Sequence, residues 1–218
     1  MFVINCKNYD EISGEKITKL VKTANKVSKK YGIKIAVAPP QHLLSKVTSF
    51  SIPILAQHID DAKVGSTTGF MVPELLKKSK VRGSLINHSE HRISSKEIQQ
   101  LVNRLRKLNM ISVVCVKNVS EALKYAKLNP DYIAIEPPEL IGSGKAVSKE
   151  KPELITRAAA AVKSAKNKTK LLCGAGIVSG EDVKQSMILG SKGILVASGI
   201  IKAKDWQKII EEFAKAMV

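Results

Sequence analysis

The sequence predicts an α/β fold, a (β/α)8 barrel of eight parallel strands ringed by helices, and three observations carry that expectation. Short runs rich in Val, Ile and Leu recur eight times along the 218 residues. Each is followed by a segment whose apolar residues fall at helical spacing, the alternation that a parallel sheet with crossover helices requires. No linker, low-complexity tract or shift in composition divides the chain, so residues 1–218 read as one domain. The first run leads into Cys6-Lys7-Asn8-Tyr9 and not into the glycine-rich turn by which an open doubly wound sheet, the main alternative, announces itself. Eight is the number of strands that closes a ring.

Taken in order, the expected strands are Phe2 to Cys6, Lys34 to Ala38, Ile52 to Gln57, Gly83 to Asn87, Ile111 to Val116, Tyr132 to Ile135, Lys170 to Cys173 and Gly193 to Val196. Between the first two, Lys16 to Lys30 spaces its apolar residues at helical intervals. Ser120-Glu121 reads as the cap of a helix running through Ala126. Trp206, Ile209, Ile210 and Phe213 form the apolar face of a last helix, which is expected to close the ring by packing beside the first strand.

Composition narrows the classes of function. With 44% hydrophobic and 25% charged residues the chain is neither disordered nor membrane-spanning, since its apolar runs fall far short of about 18 residues. The opening Phe2-Val3-Ile4 lacks the basic stretch and cleavage site of an export signal, so a cytoplasmic location is expected. Cys6, Cys115 and Cys173 lie in or beside strand-like runs, with none at metal-ligand spacing. They read as reduced core thiols, and no metal site is expected. The formal net charge of +17 raises the possibility of a nucleic-acid partner, which would need a clustered patch. Lys16, Lys19, Lys22, Lys26, Lys29 and Lys30 share one helix, while Lys77, Lys78, Lys107, Lys124, Lys163 and Lys208 are scattered over others. A solvated outer shell is the expected reading, with no nucleic-acid partner and a field that favours small phosphorylated anions.

In such a barrel the chemistry lies at the carboxyl ends of the strands, and these ends are informative. Asn5 and Lys7 follow the first strand at a two-residue spacing that points both inward; a lysine there is a point charge for a phosphate or an oxyanion. The fourth strand ends in Asn87-His88-Ser89-Glu90-His91-Arg92, where the imidazole of His88 is the candidate acid or electrophile, and His42, His58 and His91 read as ordinary surface or loop histidines. The sixth delivers Glu136 before Pro137-Pro138, which stiffens the exit and holds a carboxylate at the rim as a general base. Gly142 and Gly144 then make the following stretch flexible enough for a lid. Gly174-Ala175-Gly176 and Ala197-Ser198-Gly199 expose backbone amides after strands seven and eight, where this architecture commonly cradles phosphate.

With these motifs in order, the chain resembles the triosephosphate isomerases, in the short form of the archaeal branch, over essentially its full length. Asn5-Cys6-Lys7 resembles the family's Asn-x-Lys, Asn87-His88-Ser89-Glu90 its histidine motif and Ile135-Glu136-Pro137 its Glu-Pro motif; Ile141-Gly142-Ser143-Gly144 resembles its lid tip. The resemblance implies that Lys7, His88 and Glu136 are catalytic. It further implies that Asn5 contacts substrate oxygens and that the amides of Ile141, Gly176, Ala197 and Ser198 hold the phosphate of a small triose. Glu136 would be the base, His88 the electrophile, and no cofactor would be needed. Gly65-Ser66-Thr67-Thr68-Gly69 resembles the loop that enters a neighbouring subunit, which implies a homodimer or homotetramer. Two motifs depart from the pattern: His91-Arg92 stands where many members have Arg-Arg, and strand seven lacks the Tyr-Gly-Gly-Ser that pins the lid in longer members. The rival readings are another phosphate-binding barrel enzyme, such as a metal-dependent pentose-phosphate epimerase, and a non-enzymatic basic interaction protein.

Overall fold

A computed structural model describes residues 1–218. Eight parallel strands, β1 (Phe2–Asn5), β2 (Ile35–Ala38), β3 (Leu55–Ala56), β4 (Gly83–Ile86), β5 (Ile111–Val116), β6 (Tyr132–Ile135), β7 (Lys170–Gly174) and β8 (Ile194–Val196), pair in the order β2-β1-β8-β7-β6-β5-β4-β3. Pairing of β1 with β8 joins the two ends of the sequence, Phe2 opposite Ile194 and Ile4 opposite Val196. Between β2 and β3 the ring closes through one parallel bridge, Val37 to Ile54. The third strand is shorter than the expected Ile52 to Gln57. Pro53 has no N–H to give a ladder, and its carbonyl instead accepts from Val37 at 3.1 Å.

The helices are α1 (Lys16–Tyr31), α2 (Leu44–Val47), α3 (Pro73–Lys78), α4 (Ser95–Lys107), α5 (Val119–Ala126), α6 (Val147–Glu150), α7 (Pro152–Ser164), α8 (Gly180–Ile188), α9 (Ser198–Ile201) and α10 (Trp206–Lys215). Ser94 starts α4 with a capping box, its side chain accepting from Glu97 N–H while Glu97 accepts from Ser94 N–H. The expected cap of α5 is corrected by two residues. Asn118, in extended conformation, accepts from Glu121 N–H at 2.9 Å, and Ser120 falls inside the first turn. The expected closure is present: Phe213 of α10 lies with its ring 6.0 Å from that of Phe2, a tilted pair contributing roughly 0.5–1.5 kcal/mol beyond burial.

Strand alternation divides the core in two. Val3, Ala36, Leu55, Leu85, Val113, Cys115, Ala134, Leu172 and Leu195 meet inside the barrel. Phe2, Ile4, Val37, Ile86, Val114, Ile133, Leu171 and Cys173 belong to the larger layer between sheet and helices. Because side chains repeat every second residue, the inward row continues beyond Val3, Leu85, Ala134, Leu172 and Leu195 to Asn5, Asn87, Glu136, Gly174 and Ala197. The barrel thus carries its packing pattern to the carboxyl rim and there changes from apolar to polar or small residues. All three cysteines are free and buried, and no helix is long and apolar enough to cross a membrane.

Candidate active site

Asn5, Lys7 and His88 line one cavity of about 430 Å³ at the carboxyl ends of the strands, together with Gln57, His58 and Glu90. The way Lys7 reaches it differs from the sequence expectation. The strand ends at Asn5, so alternation does not carry to Lys7. Instead Lys7 takes a left-handed backbone conformation, φ 45°, with its N–H donating to Asn5 Oδ1 at 3.0 Å and its carbonyl accepting from Gln57 Nε2 at 2.9 Å. A non-glycine residue at positive φ is uncommon, and these two bonds hold it there. The Lys7 Nζ donates to Glu90 Oε1 at 2.6 Å.

His88 is placed by the residue before it. Asn87 also has positive φ, 61°, and its amide spans two elements, donating to the Cys115 carbonyl of β5 at 3.0 Å and accepting from Ile93 N–H at 3.2 Å. The turn closes with His91 N–H donating to the His88 carbonyl at 2.9 Å. The imidazole, only 6% exposed, receives the Glu90 N–H on Nδ1 at 3.2 Å. In a neutral imidazole, acceptance at Nδ1 goes with a proton on Nε2, while a Glu90 carboxylate oxygen also faces Nδ1 at 3.7 Å. Nε2 faces the reaction space, 3.4 Å from Asn5 Nδ2 and 3.6 Å from Glu136 Oε2.

Glu136 is 7% exposed, and its Oε2 is buried with no hydrogen-bond partner. Burial raises its pKa above the ordinary carboxylate value, against the opposing pull of His88, the Cys115 thiol and Lys7. A partly desolvated carboxylate with one free oxygen is a competent proton acceptor near neutral pH. It does not itself wall the cavity but sits behind His88, confined on its other side by β7. A Cβ built on Gly174 would lie 2.5 Å from Glu136 Cγ.

The expected phosphate loops lie on the adjoining rim. Ala175 and Gly176 both have φ 71°, and a Cβ at Gly176 would fall 1.8 Å from the Lys145 carbonyl, so the loop after β7 packs against the end of the glycine-containing segment after β6. That segment begins with a 3-10 turn, Pro138–Leu140, and re-joins the barrel where Val147 N–H meets the Ala175 carbonyl at 3.4 Å. The Ile141 N–H is occupied by the Pro138 carbonyl at 3.2 Å, so in this arrangement it is turned into its own turn. Ala197 and Ser198 begin the short α9.

Sequence reasoning missed several participants. Glu90 lay within the fourth-strand motif, yet its N–H meets His88 Nδ1 and its carboxylate holds Lys7. Gln57 ends the expected third strand, and inspection of every strand end would have found it. The steric role of Gly174 has no local signal, because its partner is 38 positions away. No group of three or more histidine, cysteine, aspartate or glutamate side chains is arranged to hold a metal.

Known proteins match this chain along its length. The family model for triosephosphate isomerase matches residues 1–213. The chain is 58% identical to the triosephosphate isomerase of Cenarchaeum symbiosum over 217 residues, covering 100% of this chain and 97% of the relative. It is 47% identical to that of Methanothermus fervidus over 219 residues (100% and 98%) and 44% identical to that of Methanocaldococcus jannaschii over 216 (99% of each). An eight-stranded barrel with a lysine, a histidine and a buried glutamate at its carboxyl rim, matched end to end at these identities, belongs to the triosephosphate isomerase family.

Proposed function

We propose that this barrel interconverts dihydroxyacetone phosphate and D-glyceraldehyde 3-phosphate, with Glu136, His88 and Lys7 as the catalytic residues. Glu136 Oε2 takes the proton from the carbon beside the carbonyl; the released electron pair forms the carbon–carbon double bond, and the carbonyl oxygen becomes the enediolate oxygen. The Nε2–H of His88 polarises that oxygen and relays a proton between the two oxygens, while the Lys7 ammonium offsets the developing charge and Asn5 orients the oxygens. Glu136 then returns its proton to the neighbouring carbon. Protons and electrons balance within the substrate, so the reaction asks for no cofactor. The amides of Ile141, Gly176, Ala197 and Ser198 are proposed to hold the phosphate dianion, Ile141 after release from Pro138, and a lid over the site would exclude water from a strongly basic intermediate.

The observation that carries this reading is the buried, unpartnered Glu136 Oε2 lying 3.6 Å from a histidine nitrogen. A coupled assay with glyceraldehyde 3-phosphate and no added metal tests it, run beside Glu136→Ala and monitored for folding by circular dichroism. A fall in kcat of roughly 10²–10⁴ is expected for loss of the base; near-wild-type turnover by the folded variant would remove Glu136 from this role.

The same reading includes a homodimer or homotetramer, supported by the exposed loop 65–69 and by Val64 and Phe70 beside it, 55% and 54% exposed. It includes a cytoplasmic location, with which three buried free thiols agree, and a small phosphorylated triose as partner with no nucleic acid. Sedimentation of the purified protein distinguishes dimer from tetramer.

A further inference from the structure

A second cavity is larger than the one around His88. It is a bowl of about 1560 Å³ at the opposite end of the barrel, where the strands begin, spanning the starts of β5, β6 and β7 and the approaches to β8 and β1. Arg106, Lys163, Lys168, Lys170 and Lys192 line it, against the single carboxylate of Asp131, a formal excess of four positive charges. The isomerisation uses none of them.

Three features separate this bowl from an ordinary lysine-rich surface. First, five cations, none of them ion-paired, line one concavity whose lining holds a single carboxylate. The one carboxylate in the bowl is already committed, Asp131 Oδ2 accepting from both the N–H and hydroxyl of Ser112 at 2.9 Å. Second, Arg106 is fixed at the rim, its guanidinium donating to the carbonyls of Leu128 and Asn129, so its charge is positioned before any ligand arrives. Third, helix ends do not account for the cluster. Cations favour the last turn of a helix, which explains Arg106 on α4 and Lys163 on α7. Lys168 and Lys192 lie instead on the chain entering β7 and β8, and Lys170 is the first residue of β7, all three outside any helix.

We propose that this bowl is a second anion site that binds a small ligand carrying several linked phosphates. Convergence of five unpaired cations favours multiple negative charges over the single dianion of a triose phosphate. Enclosure in a bowl, in place of an extended basic track, favours a compact polyanion over a nucleic-acid strand. Inorganic triphosphate and the phosphate chain of a nucleoside triphosphate share the required chemistry.

The test is isothermal titration of the full-length protein with inorganic triphosphate and, separately, with ATP. Saturating glycerol 3-phosphate, a three-carbon phosphate monoester, is present to occupy the opposite face. The comparison is the triple variant Lys168→Gln/Lys170→Gln/Lys192→Gln, whose exposed substitutions leave the core untouched. We expect one equivalent of triphosphate per chain, weakened at least tenfold in the variant and steeply weakened by salt, with isomerase kcat/KM unchanged within about twofold. Similar binding of the two probes identifies the phosphate chain as the recognised part, and much tighter binding of ATP adds a contribution from its base. Absence of binding, unchanged binding in the variant, displacement by glycerol 3-phosphate, or preferential binding of single-stranded DNA that triphosphate does not displace would each overturn the proposal. The proposal stands apart from the isomerase reading, because the difference in triphosphate binding between wild type and the triple variant reports the bowl whether or not the assay shows turnover.

Discussion

Gly174 of β7 confines Glu136, the residue that follows β6: a Cβ at position 174 would lie 2.5 Å from Glu136 Cγ and 3.1 Å from its Cδ and Oε1. Both residues occupy the inward row of their strands, two positions beyond Leu172 and Ala134, so the contact follows from the pleat and the parallel register Ile135 to Cys173. Gly174 has no positive φ, and alanine can adopt its backbone. Gly174→Ala should therefore fold, push the carboxylate away from its place beside His88, and lower kcat/KM by roughly 10²-fold, the scale of an ångström's misplacement. Steady-state kinetics beside a melting curve checks this; a folded variant with full activity would show that the carboxylate has room to spare.

The carboxylate should also cost the protein stability. Burial first, opposed by His88, Cys115 and Lys7, raises the Glu136 pKa in the folded state. Between the ordinary value and the raised one, the folded chain holds more protons than the unfolded chain, so this residue's contribution to stability falls as pH rises through that window. Glu136→Gln should melt a few degrees above wild type at pH 8, with the gap narrowing toward pH 4, while turnover collapses. A variant melting below wild type at pH 8 would contradict the sign.

Much of this was legible in the sequence, and the gaps have physical reasons. Eight apolar runs placed all eight strands, because a strand packed on both faces must be continuously apolar. The rim residues stood out because polarity begins abruptly where those runs end. Hidden were relationships that depend on backbone conformation or on distant partners. Lys7 reaches the cavity through a left-handed turn held by Gln57, 50 positions away. Asn118, and not Ser120, caps α5 because only it sits at the extended residue before the first turn. The excess of lysine is scattered along the chain, yet folding brings five cations from three separate stretches into one bowl.

Gly176 joins two loops that must cooperate. Its φ of 71° and the 1.8 Å approach of a built Cβ to the Lys145 carbonyl leave no place for a side chain, and both effects act against alanine. Gly176→Ala should displace the end of the segment after β6 and spoil the proposed phosphate cradle. The expected outcome is a rise of about tenfold or more in KM for the triose phosphate with a smaller change in kcat, read from saturation kinetics; an unchanged KM would take this loop out of phosphate binding.

His58 and His91 lie stacked, ring centroids 3.8 Å apart and planes 14° from parallel, and they tie the chain after β3 to the turn that carries His88. Asp60 also faces His58, at 3.2 Å from Nε2, and Glu97 on α4 acts on it from farther away. Burial lowers the His58 pKa, Asp60 counteracts it, and the neighbouring His91 lowers it further. The unfolded chain therefore binds the more protons between the lowered value and the ordinary one. Stability from this residue is complete above the ordinary histidine value and is lost as pH falls through the lowered one. A charged His58 is the disfavoured state in this packing, so acid should open the stack and loosen the His88 turn, which closes through His91 N–H. Replacing His58 by Gln removes the titration while retaining a polar group for Asp60. Wild-type melting temperature should drop more steeply than that of His58→Gln between pH 7 and pH 5, and kcat/KM should show a steeper acid limb in wild type. Parallel curves for the two proteins would mean that the stacked pair plays no part in the acid response.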